Sequence, residues 1–63
     1  MPAEFEILDS SNGQFYWRFK SGNGEVVATS ETYTTKQSCQ NGIDSLKRDA
    51  STARVQDLTK AKK

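Results

Sequence analysis

Cys39 is the single thiol of a 63-residue chain that contains no histidine. A thiol becomes a nucleophile beside an imidazole or another cation, and serine and threonine need a comparable base. Serines and threonines are plentiful, but the usual base is missing and no lysine stands at a Ser-Lys catalytic spacing. One thiol without histidine also leaves no zinc-type ligand set and no intrachain disulfide. Cys39 admits two readings, a redox-sensing thiol or a buried structural residue, and its place on an apolar helical stripe favours the second. Glu4 and Glu6 form a carboxylate pair, yet alternate strand positions opposite Lys20 and Arg18 make them charge partners rather than an acid–base dyad. The glycines of SGNGE, residues 21–25, lack the GK[ST] element and the helix of a phosphate loop. Neither an enzyme nor a metal or cofactor site is expected.

The other chemically loaded stretch is GQFYWRFK, Gly13 to Lys20, with four aromatic side chains and two cations in eight positions. Such a segment can stack nucleic-acid bases on an exposed platform or form the inner strand of a core. Period-two alternation divides it: Phe15, Trp17 and Phe19 share one face, and Tyr16, Arg18 and Lys20 share the other.

The elements that must position these residues follow from the same periodicity. Residues 4–9, EFEILD, alternate acidic and apolar side chains and read as a first strand, with residues 14–20 as the second. A two-residue Asn12-Gly13 turn would set Glu6 against Phe19. A three-residue loop with Gly13 left-handed instead pairs Phe5 with Phe19, Ile7 with Trp17, Glu4 with Lys20, Glu6 with Arg18 and Leu8 with Tyr16. The second register is chemically sensible on both faces. A turn at Ser21-Gly22-Asn23-Gly24 leads to a third strand over residues 25–30. Either Val26 and Ala28 or Val27 and Thr29 could point inward there, and the first pair, which brings Glu25 to Lys20, is preferred.

The period then changes. Thr34 and Gln37 fit a capping box, after which Cys39, Gly42, Ile43 and Leu46 recur at helical spacing to about Arg48. Gly42 and the small Cys39 would let this helix lie close to the aromatic face, with Trp17 filling the gap. Residues 53–59, ARVQDLT, read as a short final strand with Val55 and Leu58 as its sizeable apolar groups. The expected order is β-β-β-α-β, an α+β unit with an antiparallel sheet packed by one helix. No internal repeat is apparent. Residues 1–59 form the single domain and 60–63 a basic disordered tail.

So short a chain seldom buries enough apolar surface to stand alone. With disulfide and metal excluded, association with a second copy is the expected remedy. Three of the nine basic residues, Lys60, Lys62 and Lys63, lie in the last four positions, so the remainder carries six against eight acidic groups. No apolar run approaches a membrane span, and Met1-Pro2-Ala3-Glu4 has no signal-peptide character, which points to a cytoplasmic protein.

The series FEIL, NGQFYWRFK, NGEVVATSETYTTK, QNGIDSLKRDA and ARVQDLT, from about residue 4 to 59, resembles the YegP-like family of small bacterial proteins of unknown function. The resemblance implies a homodimer of β-β-β-α-β units sharing one sheet, with residues 53–59 of each chain exchanged onto the partner. It implies no activity, substrate or catalytic residue.

Two functions are left. A protein-interaction or scaffold module would use the outer face, with Tyr16, Arg18 and Lys20 joined by Tyr33 near the end of strand three, since tyrosine and arginine favour binding hot spots. The plainer reading has Tyr33 packing the start of the helix and Arg18 neutralising Glu6. A nucleic-acid-binding module would use the same cations and the basic tail, but the mildly acidic body and the neighbouring Glu4 and Glu6 oppose it. The interaction module is therefore the expectation, with an unidentified protein partner.

Overall fold

A computed structural model describes residues 2–60. It contains strands β1 (Glu4–Asp9), β2 (Phe15–Lys20) and β3 (Val26–Thr29), followed by helix α1 (Lys36–Ala50). The strands form one antiparallel sheet in the order β1-β2-β3, which leaves β2 central. The β1–β2 register is the one that puts like with like: Phe5 opposite Phe19, Ile7 opposite Trp17, Glu6 opposite Arg18, Leu8 opposite Tyr16 and Glu4 opposite Lys20.

Both hairpins close through the same device, a repeat that composition does not reveal. In the first, the Ser10 amide donates to the Gln14 carbonyl (2.8 Å) and the Gly13 amide to the Ser10 carbonyl (3.3 Å). In the second, Ser21 donates to Glu25 (2.9 Å) and Gly24 to Ser21 (2.9 Å). Gly13 and Gly24 take φ of 82° and 89°, the left-handed conformation that a type I turn with a glycine bulge requires. Each turn is tied internally by the serine hydroxyl and the asparagine side chain, Ser10 to Asn12 and Ser21 to Asn23.

Strand β3 is shorter than expected and its register shifts. Ala28 stands opposite Phe19 and Thr29 opposite Arg18, but Lys20 faces Val26, so Val27 is an extra residue that bulges out. Ala28 is thus on the core side beside Phe19, while Lys20 meets Val26 and not Glu25. Val26 and Val27 both remain exposed. The chain stays beside β2 after β3 ends: Ser30 receives the Trp17 amide on its hydroxyl (2.9 Å) and donates its own amide to the Trp17 carbonyl (2.9 Å). Tyr33 then exchanges both backbone hydrogen bonds with Phe15 (2.8 and 2.6 Å).

Helix α1 begins one residue later than the capping-box reading. Thr35, not Thr34, is the N-cap; it has extended backbone angles (φ −133°, ψ 155°), and its Oγ1 accepts the Ser38 amide at 3.0 Å. Gln37 does not reach back, because its amide donates along the helix to Asn41 (3.0 Å). Thr35→Ala should cost about 1 kcal/mol, whereas Thr34→Ala should be close to neutral; paired urea melts check the assignment. Lys47 and Arg48 sit in the last turn, where cations favour the helix dipole.

The core is small. Trp17, Cys39 and Ile43 are buried, with Phe5, Phe15, Phe19 and Tyr33 packed around them. Phe5 meets Trp17 edge-on at 5.4 Å and Phe19 at 4.8 Å, which carries the aromatic packing across the β1–β2 pair. Leu46, the last residue of the helical stripe, and Ile7 each remain a little over one-third exposed.

Residues 53–59 form no strand within the single chain. Val55 and Leu58 are 96% and 80% exposed. With two apolar groups and weak alternation the segment has no face to bury against its own sheet. The radius of gyration, 14.3 Å, exceeds the roughly 11 Å of a compact chain of this length, consistent with a segment that leaves the body. Of the expected basic tail, residues 61–63 lie outside the described residues.

Candidate functional site on the outer sheet face

Alternation along β2 delivers Tyr16, Arg18 and Lys20 to the sheet face opposite α1, and β1 delivers Glu4, Glu6 and Leu8 beside them. Glu6 organises this surface. Its carboxylate accepts from Arg18 Nε at 2.6 Å and holds Lys20 Nζ at 3.6 Å through its other oxygen. Lys20 lies opposite Glu4 in register, yet its ion pair is with the diagonal neighbour Glu6. One anion therefore serves both cations of the face.

The hydrogen bond from Arg18 holds the Glu6 carboxyl below the ordinary carboxylate value of 4.5, and Glu6 in turn raises the Arg18 guanidinium. A carboxyl depressed in the folded state stabilises above its unfolded pKa, and that contribution is lost as pH falls through the folded value. Between pH 7 and pH 3 the wild type should lose more stability than Glu6→Gln, whose side chain does not titrate. Urea midpoints measured across that range test the sign. The pair is partly exposed, so the difference should be modest and should shrink with added salt.

Tyr33 is not brought to this surface. Its pairing with Phe15 puts it on the inner face, where the side chain packs against the core. A Cβ built on Gly42 would collide with the Tyr33 hydroxyl, would lie 2.9 Å from Tyr33 Cζ and 3.4 Å from Trp17 Nε1. The close approach inferred for Gly42 is real, but the nearest occupant is Tyr33 rather than Trp17.

Cys39 is fully buried on the same side, and burial pushes its thiol above the ordinary range, away from the thiolate that would react. Among the described residues no group of three or more His, Cys, Asp or Glu side chains is placed to hold a metal ion, and no helix is long and apolar enough to cross a membrane.

The inner face carries a feature that periodicity did not expose. Between the sheet and α1 lies an open hollow of about 420 Å³ lined by Phe5, Ile7, Phe19, Gln40, Ile43 and Lys47. A second of about 290 Å³, bordered by Phe5, Phe19, Ala28 and Leu46, lies nearby on the same face. The available signal was numerical: one helix with a four-residue apolar stripe is too narrow to cover the inner faces of three strands.

Comparison with known proteins agrees with this architecture. Residues 10–57 match the family model described as "Domain of unknown function (DUF1508)". A UPF0339 protein of Treponema denticola is 40% identical over 58 residues, covering 92% of this chain and all of that protein. The solution NMR structure of a protein from Haloferax volcanii superposes with a TM-score of 0.78 at 35% identity, covering 89% of this chain and 95% of that one. The NMR structure of ATU0232 from Agrobacterium tumefaciens gives 0.74 at 39% identity, with 89% and 90% covered. The resemblance read from the strand and helix motifs holds, and this chain belongs to the DUF1508 family of small proteins of unknown function.

Proposed function

We propose that this protein is a non-catalytic interaction module that works as a homodimer, each chain lending residues 53–59 to its partner's sheet. The observation that carries the reading is the mismatch between a three-residue buried core and the exposed Val55 and Leu58. A segment whose two apolar side chains have no surface of their own and an inner face with unfilled hollows, the smaller of them apolar, are complementary needs. Both β1 and β3 are sheet edges whose outer backbone groups can accept a further strand. The exchanged segment would complete the β-β-β-α-β unit, residues 1–59 forming one domain and the residues from 60 onward a basic tail. In such a dimer the outer face stays open, and Tyr16, Arg18 and Lys20 with Leu8 form the contact surface for a protein partner in the cytoplasm; Tyr33 supports it from behind by fixing the Phe15 end of β2.

Sedimentation at micromolar concentration tests the dimer: twice the 7.0 kDa chain mass is expected, and a clean monomer would overturn the reading. Val55→Asp combined with Leu58→Asp should abolish association. For the outer face, cross-linking to lysate proteins with a Tyr16→Ala/Arg18→Ala control should show bands that the control loses. Nucleic acid is the less favoured ligand, because Arg18 and Lys20 already share Glu6. Oligonucleotide binding at micromolar concentration that collapses with salt would reverse that preference.

A further inference from the structure

We propose that the two hairpin turns are self-modification sites, at which the amide nitrogens of Gly13 and Gly24 attack the side-chain carbonyl carbons of Asn12 and Asn23. In each case a bond forms between the glycine nitrogen and Asn Cγ, and the Cγ–Nδ2 bond breaks. The side-chain nitrogen leaves as ammonia, carrying the proton that the glycine amide gives up. Solvent water then opens the cyclic imide at either carbonyl, yielding aspartate or isoaspartate. Glycine is the best nucleophile for this closure because it has no side chain to obstruct the approach.

The chain contains three Asn-Gly pairs, at residues 12–13, 23–24 and 41–42. The structure gives them different environments. At Asn12, Oδ1 accepts from the Ser10 hydroxyl and, at 3.3 Å, from the Gln14 amide, which it shares with Ser10 Oγ at 3.2 Å. At Asn23 it accepts from the Ser21 hydroxyl and from the Glu25 amide at 3.2 Å. Oδ1 is the atom on which negative charge develops as the ring closes, so each turn carries two preorganised donors for the oxyanion. Because Oδ1 accepts the amide two residues on, the asparagine side chain is already restricted, which limits the freedom lost on cyclisation. Both asparagines are exposed to the water that completes the reaction.

Asn41 is exposed as well, but it differs in its backbone and in its donors. It lies within α1, where the next amide belongs to the helical ladder, and its Oδ1 receives a single side-chain donor, Gln37. The two turns differ as well: the Gly13 amide is held by a longer hydrogen bond (3.3 Å) than the Gly24 amide (2.9 Å), so it is freer to attack. The expected order of conversion is Asn12, then Asn23, then Asn41.

The test is incubation of the intact protein at neutral pH and physiological temperature, followed by peptide mapping for the one-dalton mass gain and enzymatic methylation of isoaspartate. Ser10→Ala should slow conversion at Asn12 several-fold while leaving Asn23 unchanged, and Ser21→Ala should do the reverse. Ser10→Thr, which keeps the hydroxyl, should retain the wild-type rate, and circular dichroism verifies that each variant keeps its fold. Conversion of Asn41 at the rate of the turns, or an Asn12 rate unchanged or raised in folded Ser10→Ala, would overturn the proposal.

Discussion

Gly42→Leu should unfold most of the population at ambient temperature, and Gly42→Ala should remain folded but weakened. The helix itself would welcome either side chain, since glycine costs about 1 kcal/mol against alanine in a helix interior. Packing opposes this gain. A single added carbon meets the Tyr33 ring at 2.9 Å and crowds Trp17, in a place where the core has no slack. Overpacking of this kind costs about 1–3 kcal/mol, so alanine should be net destabilising by about 1 kcal/mol. Leucine adds three further carbons to the same space and should cost about 3 kcal/mol or more, comparable to the whole stability of so small a domain. Tyr33→Phe in the alanine background removes the nearest atom but leaves the ring, so rescue should be partial. Urea unfolding of the double-mutant cycle at one fixed protein concentration measures it. Additive effects would mean that the two residues do not press on each other.

Trp17→Ala should be at least as damaging, while Trp17→Phe should be mild. Trp17 is the largest buried side chain, in contact with Phe5 and at the centre of the Cys39–Ile43 cluster. Truncation to alanine removes that packing and leaves a cavity, at a cost of about 3–5 kcal/mol. The indole Nε1, by contrast, is buried and has no hydrogen-bond partner among the described residues. A buried unsatisfied donor carries a penalty of about 1–3 kcal/mol, which phenylalanine abolishes as it gives up part of the contact area. The two changes nearly offset, and Trp17→Phe should lie within about 1.5 kcal/mol of wild type. Thermal melts followed by far-ultraviolet circular dichroism suit both variants, which lack the tryptophan signal. A large loss in the phenylalanine variant would mean that the indole nitrogen is satisfied in solution by a group the single chain does not supply.

The β1–β2 hairpin was legible residue by residue because two chemistries voted together. Only one loop length puts Phe5 against Phe19 and also Glu6 against Arg18, and Gly13 adopts the required positive φ. The helix was legible from Cys39, Gly42, Ile43 and Leu46, but its start was not. Thr34 and Thr35 are chemically equivalent as caps, and the choice is made by the tertiary pairing of Tyr33 with Phe15, which sets where the chain leaves the sheet. In β3 the preferred alternation places Ala28 beside Phe19 as the structure does, but Val26 and Val27 are alike, so neither alternation nor polarity could reveal the bulge at Val27. On the candidate site, the positions of Tyr16, Arg18 and Lys20 followed from period two alone. Tyr33 lies beyond a second shift in pairing, between Ser30 and Phe15's partner, and no local pattern could say which face it would join.

The nearest-neighbour strand order has a kinetic consequence. Among the described residues of one chain, each sheet contact is made between segments joined by a short turn, so the loops that must close are small and the contact order of the sheet is low. Hairpins of this kind form in about 1–10 μs, and the matching turns let the two begin independently. The slow step should then be the docking of α1, which waits for Tyr33 to settle beside Phe15 and only then brings Gly42 down onto its ring. Substitutions at Gly42 should accordingly appear in the folding rate as well as in the unfolding rate, whereas those that weaken the β2–β3 hairpin, already formed before that step, should slow folding and leave unfolding nearly unchanged.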